Sequence, residues 1–155
     1  PPHPSDAGWM RHALTLAERA AQAGDVPVGA VVVSGSGELL GEGWNQRERD
    51  GDPSAHAEVV AIRAAAARLG TWRLAGCTLV VTMEPCPMCA GAAMLARVDR
   101  VVLGAWDPKL GACGSVWDVL RDRRATHRAE VVGGVLEQEC GDVVRRFFDG
   151  HRPPR

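Results

Sequence analysis

Apolar positions along the chain change their period several times, and each change marks an element. Over 8–23, Trp9, Ala13, Leu16, Ala17 and Ala20 recur at helical spacing, and Gly24 closes the run. Residues 28–33 are continuously apolar, as in a strand covered on both faces. Ser34-Gly35-Ser36-Gly37 reads as a turn and 38–44 as a second strand, which predicts an antiparallel hairpin. A polar loop follows over 45–51. Asp52-Pro53-Ser54 opens an alanine-rich helix over 55–69, with Ser54 the expected N-cap and Gly70 the stop. Residues 77–82 read as a buried strand, and Pro87 suits the first turn of a helix over 86–96. A strand over 100–103, a short helix over 115–121, a fifth strand over 128–132 and a closing helix over 137–148 complete the pattern. Alternation of this kind predicts an α/β fold, a sheet covered by helices on both faces.

Composition changes this picture little. The 155 residues suit one domain over 8–150, with a disordered lead-in over 1–7 and a tail over 151–155. A net charge of -1 decides nothing about nucleic acid, because a local basic patch can bind while the total stays neutral. Arg121, Arg123, Arg124 and Arg128 form such a cluster, read first as a solvated face and second as an RNA contact. No apolar run approaches the roughly 18–20 residues that span a bilayer, so no membrane partner is expected. Five cysteines, an odd number in a chain with a good core, argue against a disulfide framework and for a reducing cytoplasm. Cys77, Cys113 and Cys140 read as small buried apolar residues.

Two short motifs carry the chemistry: His56-Ala57-Glu58 and Pro85-Cys86-Pro87-Met88-Cys89. One imidazole and two thiolates make three zinc ligands, and a catalytic zinc site keeps its fourth position open. Glu58 is then a carboxylate free to move protons. Each cysteine falls at or just inside a helix start, where unpaired N–H groups and the helix dipole favour thiolates. On a regular helix, side chains two residues apart point roughly 200° away from each other, so His56 and Glu58 share a site only if His56 lies at the helix start. Cys-x-x-Cys by itself also fits a dithiol redox pair or half of a structural zinc knuckle in an RNA-binding module. The second reading needs a fourth ligand, and His3, His12, His127 and His151 are scattered.

These motifs, in order and spacing, resemble the zinc-dependent nucleoside deaminases, specifically the bacterial tRNA adenosine deaminases. The resemblance extends to Val26-Pro27-Val28-Gly29-Ala30, Gly43-Trp44-Asn45, Asp52-Pro53-Ser54-Ala55-His56, Thr82-Met83-Glu84-Pro85-Cys86 and Gly111-Ala112-Cys113-Gly114-Ser115. It runs from about Trp9 to Phe148 and places the deaminase domain on 8–150. It implies a three-layer α/β/α, cytidine-deaminase-like fold with a five-stranded mixed sheet, and a homodimer. The helix expected over 115–121 permits a parallel crossover there; without it a hairpin would be favoured.

The resemblance also implies one Zn2+ per chain on His56, Cys86 and Cys89, with no organic cofactor. Glu58 would carry protons from the attacking water to the ring nitrogen and the leaving amine of adenine. Asn45 would bind the base, and Asp107 and Lys109 would meet the ribose or phosphates beside it. As bare sequence, Asp107-Pro108 begins a turn. One of Phe147 and Phe148 is expected in the core and the other free to stack on a loop base, with Arg145, Arg146, Arg152 and Arg155 near phosphates. The implied partner is a tRNA anticodon stem-loop, and the implied reaction makes inosine at the wobble position. Deamination of a small nucleobase such as guanine or cytosine is the alternative.

Overall fold

A computed structural model describes residues 1–151. In chain order the elements are α1 (Asp6–Gln22), β1 (Gly29–Val33), β2 (Leu39–Trp44), α2 (Arg47–Asp50), α3 (Ala57–Leu69), β3 (Thr78–Met83), α4 (Pro87–Ala96), β4 (Arg100–Ala105), β5 (Glu130–Val132) and α5 (Glu137–Gly150). The strands form one five-stranded sheet in the order β2-β1-β3-β4-β5. β1 pairs antiparallel with both β2 and β3, whereas β3–β4 and β4–β5 are parallel, so the sheet is mixed.

The continuous apolar runs are explained by two packed layers. Ala30, Val32, Leu79, Val81, Val101 and Leu103 face α3 and α4, meeting Ala57, Ala61, Ala65, Ala90 and Ala93. Their alternates Val31, Val33, Val80 and Val102 face α1 and α5, meeting Met10, Ala13, Leu16 and Cys140. Covered strands need apolar side chains in both directions. The three-layer α/β/α architecture is as expected. α3 lies unusually close to β2, because Gly41 and Gly43 present no side chain to it. A Cβ at Gly43 would fall 2.2 Å from the Ala57 carbonyl oxygen, and one at Gly41 2.3 Å from that of Ala61. This intimate fit fixes the start of α3 against the end of β2.

Four local expectations are corrected. Residues 115–121 are not helical but turns, with an isolated bridge between Cys113 and Asp118. The Val119 N–H bonds back to Ala112 (2.9 Å) rather than to Ser115, and the amides of Cys113 and Ser115 bond to the carboxylate of Glu84, so the segment closes as turns. β4 and β5 are nevertheless parallel, since the connection over 106–129 is long enough to cross without one. The polar loop over 45–51 contains the single turn α2, whose Glu48 N–H is held by Asp25 at 3.0 Å. The lead-in is ordered from Asp6, which opens α1, is buried, and pairs with Arg100 at 2.9 Å. His56 rather than Ser54 caps α3. Among the described residues, no helix is long and apolar enough to cross a membrane.

Candidate active site

At the ends of β2 and β3, two helix N-termini converge. His56 caps α3 with extended backbone (φ -74, ψ 150), so its ring leans across the helix end while Glu58 occupies the first turn. Cys86 caps α4 in the same way (φ -72, ψ 173), Pro87 supplies the first helical position, and Cys89 follows within the first turn. This places His56 Nδ1 3.8 Å from Cys86 Sγ and 3.6 Å from Cys89 Sγ. All three donor atoms lie within 4.8 Å of one another. A tetrahedral ion with Zn–S of about 2.3 Å and Zn–N of about 2.05 Å requires S···N separations of about 3.6 Å. The donor set fits zinc in chemistry and in spacing.

Electrostatics within the cluster prepare it for a cation. The Cys86 thiol is held down to about 4, first by its hydrogen bond with the Cys89 thiol and then, against burial, by that with His56. Cys89 is pushed up by the Cys86 sulfur and by burial. His56 is raised, chiefly by its contact with Cys86. Glu58 is 4% exposed, and burial raises its carboxyl. A group so placed is a natural proton acceptor and donor.

A cavity of about 370 Å³ opens onto these residues, and its wall includes His56, Glu58, Cys86, Asn45, Asp107, Lys109 and Phe148. Asn45 is buried, with its amide oxygen accepting the Ala57 N–H (2.9 Å) and its nitrogen donating to the Val26 carbonyl (3.1 Å). One N–H of its amide remains for a ligand. The Asp107 carboxylate accepts the N–H groups of Lys109 (3.0 Å) and Leu110 (3.3 Å), so it forms the turn read from the bare sequence. Phe148 is half exposed at the cavity rim. Neither phenylalanine enters the core; Phe147 stacks on His151 instead. A larger groove of about 1020 Å³ lies at the opposite end of the parallel strands, lined by Thr78, Arg100 and Glu130. It holds no His/Cys donor set, so size alone does not locate the chemistry.

Residues 4–105 match the family model of the cytidine and deoxycytidylate deaminase zinc-binding region. The chain belongs to this deaminase family. The tRNA-specific adenosine deaminase of Bacillus subtilis (strain 168) is 50% identical over 92% of this chain and 88% of its own length. A solved tRNA:A34 deaminase, of the kind that carries out A-to-I editing at the wobble position of transfer RNA, superposes with a TM-score of 0.84 at 38% identity, covering 88% of this chain and 98% of that one. The guanine deaminase of Nitrosomonas europaea superposes with a TM-score of 0.77 at 27% identity, covering 94% and 84%. A zinc-binding region of this family together with the His56, Cys86 and Cys89 cluster makes one zinc site per chain.

Other expected residues lie outside this deaminase site. Cys77, Cys113 and Cys140 are buried and free, and none joins the donor cluster. Arg121 pairs with Asp118 and Arg124 with Asp122, which neutralises two of these four arginines, while Arg128 donates to the Arg123 carbonyl and keeps its charge. Arg145 pairs with Asp142. Arg152 and Arg155 lie outside the described residues. Two functional side chains were not singled out from the sequence. Buried Glu84 collects the loop after β4, and buried Asp25 grips Arg47 at the cavity wall (3.0 Å). The signal for Glu84 was its place directly before Pro85-Cys86 and a carboxylate unpaired in an apolar run; Asp25 had no comparable local signal.

Proposed function

We propose that this chain hydrolytically deaminates adenosine to inosine at the wobble position of a tRNA anticodon. The reading is carried by one observation: buried Glu58 shares a base-sized cavity with a zinc donor set and with Asn45, in a chain 50% identical to a tRNA-specific adenosine deaminase. Zinc, when held by His56, Cys86 and Cys89, supplies the Lewis acidity that makes water a nucleophile near neutral pH. Glu58 takes one proton from the attacking water and delivers it to N1 of adenine, then takes the second from the new C6 hydroxyl and passes it to the amine, which departs as ammonia. Burial suits it to both tasks, because a raised carboxyl holds a proton more readily. The free N–H of Asn45 donates to the purine edge, while its other two bonds keep the amide from turning.

The cavity mouth supports an RNA substrate. Lys109 offers a cation to a phosphate, and half-exposed Phe148 offers a face on which a neighbouring base can stack. A target base in an anticodon loop is already unpaired, which lowers the cost of turning it into the cavity. The homodimer implied by the resemblance is supported by Met88 and Leu95, exposed apolar residues seven apart on one face of α4. Three free thiols and two that would hold zinc fit a reducing compartment, the cytoplasm.

Incubation of the zinc-loaded protein with an anticodon stem-loop carrying a wobble adenine, and separately with free guanine, cytosine and adenine, tests the substrate. Inosine in the RNA and no ammonia from the free bases is the expected result. Ammonia from a free base without RNA editing overturns it in favour of a small-nucleobase deaminase, the activity named for the Nitrosomonas europaea protein.

A further inference from the structure

The substrate-facing loop after β4 has no regular structure of its own, yet it is tightly held. Its anchor is Glu84, a carboxylate only 3% exposed that has no cation partner among the described residues. Four donors converge on it: the N–H of Asp107 on one oxygen (2.9 Å), the N–H groups of Cys113 and Ser115 on the other (3.0 Å each), and the Ser115 hydroxyl on the first (2.5 Å). These fill the roughly four lone-pair sites of a carboxylate, which accepts everywhere and donates nowhere. The fit is close enough to require glycine at 111, where a Cβ would lie 2.2 Å from the carboxylate. Backbone bonds extend the strap, from Glu84 N–H to Ala105 (2.8 Å) and from Ala112 N–H to Pro85 (2.8 Å). The residues holding the loop are thus the two that immediately precede Cys86, the first sulfur of the metal site.

We propose that Glu84 is the positioning residue that sets the loop over 107–115, and with it Asp107, Lys109 and Leu110, at a fixed distance from the metal centre. Glu84 acts on substrate through this loop, so it governs how the nucleotide is seated rather than how the amine is displaced. The inference rests on the deaminase reading for its substrate, but the hold on the loop stands on the hydrogen bonds alone. A buried carboxylate with four neutral donors would otherwise be a costly group to keep, and its geometry leaves it no other occupation.

Glu84→Gln replaces one acceptor oxygen by a donor, and Ser115→Ala removes one donor with little change of volume. For both, we expect zinc near one per chain and kcat on the stem-loop within about threefold of wild type, while KM rises about tenfold or more for Glu84→Gln and less for Ser115→Ala. Ser115→Thr, which restores the hydroxyl, should return KM toward wild type. Amide hydrogen exchange at Asp107, Cys113 and Ser115 should accelerate in Glu84→Gln, with the amides of β1 and β3 unaltered. A fall in kcat at constant KM, loss of zinc from an otherwise intact loop, or unchanged exchange at those three amides overturns the proposal. If Glu84→Gln does not fold, Ser115→Ala and its exchange profile decide. If the wild-type protein edits no RNA, the deaminase reading fails, and exchange alone then decides whether Glu84 holds the loop.

Discussion

Glu58 and His56 stand two positions apart, a spacing that would send their side chains to opposite sides of a regular helix. They share a site because His56 is the cap and still extended, whereas Glu58 is already helical. The cap therefore contributes a ligand direction as well as a helix start. Nothing in the packing of α3 asks for a carboxylate at 58, where the neighbouring buried positions are Ala57, Ala61 and Ala65. Glu58→Ala is accordingly expected to keep zinc near one per chain and to lose about 10²- to 10⁴-fold in kcat, the usual share of acid–base catalysis. Single-turnover assays with elemental analysis of the same sample measure both, and undiminished turnover would remove Glu58 from the chemistry. The cysteines divide just as sharply. Cys89→Ala should lose the metal, since its sulfur lies 3.6 Å from the His56 nitrogen. Cys113→Ala should keep it, because the Cys113 sulfur is not among the donors, and its backbone N–H on Glu84 survives the substitution. Zinc missing from the Cys113 variant would mean a different ligand set.

At the level of elements, the contact between α3 and β2 determines how the site is assembled. Asn45 follows β2 directly and accepts the Ala57 N–H at 2.9 Å, so any slip of α3 along β2 would pull this cavity-wall amide away from the metal side. Gly43→Ala would drive a methyl group to 2.2 Å from the Ala57 carbonyl and force the helix outward. We expect a loss of about 1–3 kcal/mol in urea unfolding, the range for overpacking, together with weaker zinc retention during dialysis against a chelator. Stability within about 0.5 kcal/mol of wild type would show that α3 is not seated by the glycine. The same contrast between local and distant causes explains what the sequence reveals. The run over 28–33, the alanine period over 55–69 and the glycines at 24 and 70 are local patterns, and the elements they predict are present to within a few residues. The metal donors were legible because Cys-x-x-Cys and His-x-Glu are local too. What was not legible depends on partners far along the chain. The turns over 115–121 follow from Glu84, the single turn α2 from Asp25, and the ordered start of α1 from Arg100. No periodicity in those segments contains that information.

The pair of Asp6 and Arg100 joins positions 94 apart, and it bears on the stability of the whole molecule. Arg100 lies at the start of β4, donates to both oxygens of Asp6 (2.9 and 3.2 Å), and also reaches Glu130 of β5 at 3.5 Å. It thereby fastens the N-terminal layer to the parallel half of the sheet. Burial alone would push the Asp6 carboxyl up, but the hydrogen bonds and charge of Arg100, with the His3 N–H, outweigh it and hold the group below its ordinary value of 3.8. A carboxyl lowered on folding binds fewer protons in the native state than in the unfolded one. Its contribution is therefore complete above the unfolded value and lost as pH falls through the lower native value, in a window below about pH 4. Asp6→Asn should cost about 1.5–3 kcal/mol at neutral pH, as for hydrogen bonds to a charged group, and the gap from wild type should close in that window. Urea unfolding of both proteins from about pH 7 down to about pH 2.5 checks this. Protonation of His56 and the cysteines also destabilises the zinc-bound fold in acid, but it does so equally in both proteins and cancels in their difference. A gap that stays constant with pH would assign the effect of the substitution to packing rather than to the charge of Asp6, and the N-terminal layer would then be held chiefly by the apolar contacts of Met10, Ala13 and Leu16, with the His12–Glu42 pair.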